Sequence, residues 1–257
     1  FGKSTLGGAI LVNSTQPDLY DVGGYVKGTY GRYDYTAIEG AINIPIIPGS
    51  VALRVAGQIR RQDERIRSLD AEFFALPEVQ ALSVTDPNAD SYPGFDDVKN
   101  DSVRASLTIQ PTDGISNTTV VEYFKADERA AGLFLYKADF SALQNTAFLP
   151  LMGDPARAAT AVELASLAQE YAKEHPRGGF DGGINGGRAY RKSIAVVNTT
   201  DVDLTDSLSI RNIFGYRKNT NDQGINTGAL PILDQGGFSN PFLGGLVTQP
   251  FIVYYAE

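Results

Sequence analysis

Few residue types in this 257-residue sequence are suited to covalent chemistry. Cysteine is absent, so there is no disulfide framework, no thiolate nucleophile and no zinc–thiolate site. His175 is the single histidine, which excludes any mechanism that needs two imidazoles. Its place after an alanine-rich stretch suits a solvated helix terminus better than a ligand role. Asp96-Asp97 is the most suggestive acidic pair for a cation, yet adjacent acids in a connection are ordinarily solvated. Other paired carboxylates exist, but spacing alone selects none at catalytic separation. No nucleophile–base pair, phosphate loop or metal cluster stands out, so the expectation is a protein that is not an enzyme. Acids outnumber bases 30 to 22, for a net charge of −8. That argues against a nucleic-acid partner, which demands a basic face.

The elements that would carry these residues read as strands. In 51–62, Val51, Leu53, Val55, Gly57 and Ile59 alternate with Ala52, Arg54, Ala56, Gln58 and Arg60. In 102–110, Val103, Ala105, Leu107 and Ile109 oppose Arg104, Ser106, Thr108 and Gln110. In 37–46, Ile38, Gly40, Ile42 and Ile44 oppose Glu39 and Asn43, and 207–217 alternates until Asn212 and Ile213 break the pattern. Weaker candidates lie at 24–32, 116–127, 189–202 and 251–255. Abundant glycine, tyrosine and phenylalanine suit strands and tight turns.

The connections are more telling. Ile47-Pro48-Gly49-Ser50, Pro111-Thr112-Asp113-Gly114 and Asp203-Leu204-Thr205-Asp206 are turn-like. Connections of roughly 63–101, 128–188 and 220–249 are long. Tyr33-Asp34-Tyr35 is a short link where the alternation would put a long one. Such long loops are uncommon in compact soluble domains but usual on the outer side of a bacterial outer-membrane barrel. The rival architecture is a β-sandwich or solenoid with insertions. Within the second long connection, Asp154 as N-cap, Pro155 at the first helical position and a broad apolar face predict a helix over 155–174. Pro176 and Gly178-Gly179 end it.

In a barrel, Arg54, Arg60, Arg104 and Glu39 would face a watered interior and the aliphatic stripes would face lipid. Tyr25, Tyr30, Tyr33 and Tyr35 fit an interfacial aromatic girdle, and Tyr123, Phe124, Phe214, Tyr216, Tyr254 and Tyr255 could join it.

The opening run Phe1-Gly2-Lys3-Ser4-Thr5-Leu6-Gly7-Gly8-Ala9-Ile10-Leu11-Val12-Asn13-Ser14-Thr15 resembles the end of the plug domain of TonB-dependent outer-membrane receptors. Gln16-Pro17 supplies the link, and Gly23-Gly24-Tyr25-Val26-Lys27-Gly28-Thr29-Tyr30-Gly31-Arg32-Tyr33-Asp34 looks like that family's first barrel strand. Glu39-Gly40-Ala41-Ile42-Asn43-Ile44-Pro45 and Leu53-Arg54-Val55-Ala56-Gly57 look like the next two, and Asn212-Ile213-Phe214-Gly215-Tyr216-Arg217 like a later one. The resemblance runs over 1–62 and 187–219, fades in the long connections, and gives Gly7 and Gly8 a packing role.

The resemblance implies an all-β fold: an antiparallel transmembrane β-barrel, present in part, with about eight strands of about 22. The tail of a plug (1–18) would precede the barrel portion (19–257), with one short helix on an external loop. Two bare strand edges in hydrocarbon would cost on the order of tens of kcal/mol, beyond the ~5–15 kcal/mol that stabilises a folded protein. The expectation is therefore a segment of a longer polypeptide that also carries the plug and the remaining strands.

By the same resemblance, the function would be energy-coupled uptake of a scarce nutrient such as an iron–siderophore complex, cobalamin, an oligosaccharide or an aromatic compound. The partners would be that small molecule, outer-membrane lipid and lipopolysaccharide, and the TonB complex, which acts through a segment outside this sequence. No cofactor or resident metal is implied. Ligand contacts are expected among the external-loop aromatics Phe73, Phe74, Tyr92, Phe95, Phe134, Tyr136, Phe180, Phe238 and Phe242, many of which would only pack loop against loop. The rival functions are a passive porin, which has no use for a plug terminus, and a secreted soluble β-protein.

Overall fold

A computed structural model describes residues 14–84, 89–129, 155–180 and 188–223. In chain order the strands are β1 (Gly23–Gly31), β2 (Tyr35–Ile47), β3 (Val51–Gln62), β4 (Arg67–Ser68), β5 (Val98–Thr112), β6 (Ile115–Arg129), β7 (Gly178–Gly179), β8 (Arg188–Thr205) and β9 (Leu208–Gln223). The helices are α1 (Asp70–Phe74), α2 (Pro77–Ala81) and α3 (Pro155–Glu174), with a 3-10 turn at Ala89–Ser91. Seven strands form one antiparallel meander in the order β1-β2-β3-β5-β6-β8-β9, and β4 pairs with β7 in parallel. β1 and β9 are its edges among the described residues.

Local chemistry sets the turns. Between β1 and β2 the link is Arg32-Tyr33-Asp34, in which Tyr33 and Asp34 both take positive φ (60° and 50°) and Tyr35 N donates to Arg32 O at 3.3 Å. Tyr30 Oη donates to Asp34 Oδ1 at 2.9 Å and holds it. Between β2 and β3, Pro48 precedes Gly49 at φ 76°, and Ser50 N donates to Ile47 O at 2.9 Å. The β5–β6 turn is Asp113-Gly114. The β8–β9 turn lies at Asp206-Ser207, two residues later than expected, because β8 keeps pairing through Thr205. Register shifts sit beside all three of these last turns, at Pro45/Ile47, Ile109/Thr112 and Asp203/Thr205.

Cross-strand partners share a face. One rung runs Ile42, Val55, Ala105, Val121, Val196, Tyr216; the next runs Ala41, Ala56, Arg104, Glu122, Ala195, Arg217. The sheet therefore has an apolar and a polar face, as the alternation predicts. Asn212 and Ile213 do not interrupt β9; they pair with Thr200 and Thr199 in unbroken register. Ile42, Ile59, Val103, Val121, Ile210 and Phe214 on the apolar face are 44–60% exposed, and no second layer covers them among the described residues. Three of the aromatics expected at a girdle belong to the other face. Tyr35 shares the face of Glu39 and Asn43. Tyr25 lines a cavity with Arg54 and Arg104, and Phe124 lies under Arg191, 6.0 Å from ring centroid to Cζ. Tyr254 and Tyr255, like the strand expected at 251–255, lie outside the described residues.

The apolar core sits off the sheet. Both long connections leave the same end of the meander and fold together: Leu69, Phe73, Phe74 and Val79 from the first pack with Leu164, Ala168, Ala172 and Phe180 from the second. α3 occupies the range expected for it, with Leu164, Ala165 and Ala168 buried. α1 and α2 were not expected; at five residues each they are too short to show a helical period.

Candidate functional site

Two places concentrate polar or aromatic side chains: the junction of the N-terminal segment with the polar face, and the joined loops above it. The junction is built around Asn43, 2% exposed in β2. Its Oδ1 accepts from Asp18 N at 2.8 Å, and its Nδ2 donates to Asp18 O at 2.9 Å and Asp21 O at 2.7 Å. Asp18 turns the chain, accepting from Tyr20 N at 2.8 Å and Asp21 N at 3.1 Å; these N–H groups hold its carboxyl below the ordinary range. Gly49 N donates to Leu19 O at 2.9 Å, tying the β2–β3 turn to the same segment. Upstream, Arg104 donates to the Ser14 hydroxyl and pairs with Glu122, which also lies 3.6 Å from Arg217. Ser14, Thr15, Tyr25, Ala41, Arg54, Ala56, Arg104 and Ser106 line a cavity of about 270 Å³ there.

Further polar networks cross the same face. Lys27 and Gln58 both reach Glu39, at 3.3 and 2.8 Å. Arg60 donates to Asn100 Oδ1 at 3.0 Å, Asn100 donates to Glu128 at 2.6 Å, and Arg191 closes the row on Glu128 at 2.9 Å. Four strands are thereby linked through one carboxylate. Arg54, by contrast, has no ion pair among the described residues, which leaves its guanidinium to the cavity.

In the loops, the aromatics nominated as ligand contacts occupy three kinds of place. Phe73, Phe74 and Phe180 are 0, 7 and 2% exposed and form the loop core, with the Phe73 ring edge-on to Phe74 at 5.5 Å and to Phe180 at 5.1 Å. Phe95 is buried where its backbone bridges Ile66, with Phe95 N donating to Ile66 O at 2.7 Å. These four spend their surface on packing in this conformation. Tyr92 is half-buried, the only one of the described five that keeps appreciable surface. Phe134, Tyr136, Phe238 and Phe242 lie outside the described residues.

No family model matches the chain, and no curated protein is significantly similar to it.

Polar groups around the loop core serve the fold. Tyr171 Oη donates to Glu72 at 2.9 Å and Arg67 joins the same carboxylate; these two partners hold Glu72 below the usual glutamate range, Tyr171 first. His175 places Nδ1 2.8 Å from Tyr171 O and so covers a carbonyl left open at the end of α3. Asp96 pairs with Arg65 at 2.6 Å, while Asp97 accepts from Arg129 N. Burial pushes the Asp97 carboxyl up, partly offset by that N–H. Among the described residues no cluster of three histidine or carboxylate side chains is arranged to hold a metal. The arrangement can bind, strap and orient. Asn43 was legible only as a polar-face residue; the available signal was an asparagine, poorly suited to strands, between Ile42 and Ile44.

Proposed function

We propose that the chain forms part of an outer-membrane β-barrel receptor that takes up a scarce nutrient by energy-coupled, TonB-dependent transport. The observation that carries this reading is the asymmetry of the two faces. The segment preceding β1 is strapped to the polar face through Asn43 and Arg104, while the aliphatic face stands bare. A sandwich would bury the aliphatic face and leave the polar one to solvent. A barrel wall with a plug does the reverse, with lipid against the apolar side chains and the polypeptide's own plug in the watered interior. From Val51 to Ile59 the apolar stripe runs about 26 Å along the strand at ~3.3 Å per residue, close to the ~25 Å band of outer-membrane barrels. In this reading further strands extend the sheet at β1 and β9, and the ligand enters past the joined loops toward the cavity at Arg54 and Arg104.

The test uses the full-length protein in a bacterial host lacking its own receptors. Uptake of radiolabelled ferric siderophores, cobalamin and oligosaccharides is measured with and without a proton uncoupler. Uptake abolished by the uncoupler supports energy coupling; uptake indifferent to it identifies a passive porin. A full-length protein that dissolves without detergent removes both and leaves a secreted β-protein.

A further inference from the structure

Between the joined loops and the N-terminal junction, the polar face carries more positive charge than its acids neutralise, although the chain as a whole has a net charge of −8. Lys27 and Glu39 match one to one at 3.3 Å. Arg54, Arg60, Arg104, Arg191 and Arg217 have only Glu122 and Glu128 between them among the described residues. Arg104 and Arg217 both pair with Glu122, the latter at 3.6 Å. Arg191 pairs with Glu128 at 2.9 Å, and Arg60 reaches the same carboxylate through Asn100. The rungs descend from Arg60 and Arg191 at the loop end to Arg104 and then Arg54 at the junction.

Arg54 is half-buried in β3, directly across from Asn43. Asp18, which Asn43 holds, turns its carboxylate onto Tyr20 N and Asp21 N instead of onto Arg54. The cavity that Arg54 shares with Arg104 is rich in donors: two guanidinium groups, the hydroxyls of Ser14, Thr15, Tyr25 and Ser106, and no carboxylate or carboxamide. A guanidinium fork matches the paired oxygens of a carboxylate or phosphate, and hydroxyls rotate to donate to the oxygens that remain. A neutral ligand would leave the Arg54 charge half-buried and unneutralised. The cavity's volume of about 270 Å³ lies at the lower edge of the ~300–1,000 Å³ usual for ligand pockets. It suits an acidic group and its immediate frame, not a macrocycle.

We propose that the Arg54–Arg104 cavity binds the carboxylate or phosphate of an acidic small molecule, and that this acid is the nutrient taken up. The inference rests on the reading of the polar face as the interior of a receptor. The excess positive charge around Glu128 and Glu122 lies between the loops and Arg54, so an anion entering past the loops is drawn toward the cavity.

The test titrates detergent-purified full-length protein calorimetrically with three probes that share one sugar ring: glucose 6-phosphate, glucuronate and glucose. The wild type should bind at least one of the two acidic sugars on the order of tenfold more tightly than glucose, and which of them binds better identifies the oxyanion as phosphate or carboxylate. R54Q should reduce that preference to less than about twofold. K27Q, which removes a matched cation of the same face outside the cavity, should leave it unchanged, and heat-modifiable gel mobility reports that each variant is folded. Equal binding of all three sugars, binding of neither acidic sugar, or an undiminished preference in folded R54Q overturns the inference. So does an equal loss in K27Q, which would assign the preference to the general field of the face. A protein that dissolves without detergent overturns the receptor reading and, with it, uptake of the acid. One that needs detergent yet shows no preference overturns this inference alone.

Discussion

Asn43 replaces, with one side chain, the partners that the backbone at Asp18 and Asp21 would otherwise find in water. Removing it strands one N–H and two carbonyls in a half-buried setting, at a cost of about 1–3 kcal/mol. Asn43→Ala should therefore raise the rate of limited proteolysis within residues 14–21 on the order of tenfold, with protection of β2 and β3 little changed. Glu72 and Asp97 respond oppositely to pH. Glu72 has its folded value lowered, so its contribution is in place above about 4.5 and is lost as pH falls through the folded value. Asp97 has its value raised by burial, so its contribution is in place below 3.8 and is lost as pH rises through the folded value. Hydrogen exchange of the loop helices across acid pH, corrected for intrinsic rates, should show Glu72→Gln flattening the acid loss by no more than ~1 kcal/mol, since the pair is half-exposed. Asp97→Asn keeps an acceptor for Arg129 N and should slow that exchange at neutral pH.

Among the elements, the joined loops have the most to lose. Two connections far apart in sequence share one small core, so neither set of helices is stable alone; five-residue α1 and α2 are well below the length at which isolated helices persist. Phe73 is fully buried between both, and Phe73→Ala should cost about 3–5 kcal/mol. Hydrogen exchange should then report loss of protection in α1 and α3 together while β5 and β6 stay protected. Gly178 meets the same core from the other side. A Cβ there would lie 2.2 Å from the Leu69 side chain, itself fully buried. Gly178→Ala should cost about 1–3 kcal/mol by overpacking, read as the same joint loss at smaller amplitude.

For the whole molecule, the two faces of the sheet make opposite demands at one depth. Val103 pairs with Gly57 on the apolar face, and Gln58, the next residue of β3, stands on the polar face opposite Glu39. Arginine at position 103 would enter hydrocarbon at about 2–4 kcal/mol in a lipid-facing wall. Arginine at position 58 would meet the Glu39 carboxylate that already accepts from Gln58. Val103→Arg should lower the folded fraction of full-length protein on heat-modifiable gels, and Gln58→Arg should leave it unchanged. Equal tolerance of both would count against lipid contact.

What the amino-acid order determined by itself is local. Side chains of a strand alternate with a period of two, so Val51 to Ile59 against Ala52 to Arg60 was enough to separate the two faces. Pro48-Gly49 and Asp113-Gly114 likewise marked turns through the φ values they allow, and the alanine-rich run over 155–174 was long enough to show its apolar face. The tertiary structure alone decided what depends on register and on distant partners. It put β8 pairing into the expected turn as far as Thr205, Phe73 and Phe180 into one buried cluster, and Asn43 against Asp18 and Asp21. It also aligned Lys125 with Lys192, a juxtaposition of residues 67 positions apart that no local pattern encodes. Periodicity settles which side of a strand a residue occupies, but a partner is chosen by pairing across space, and that choice is made only when the sheet and its loops come together.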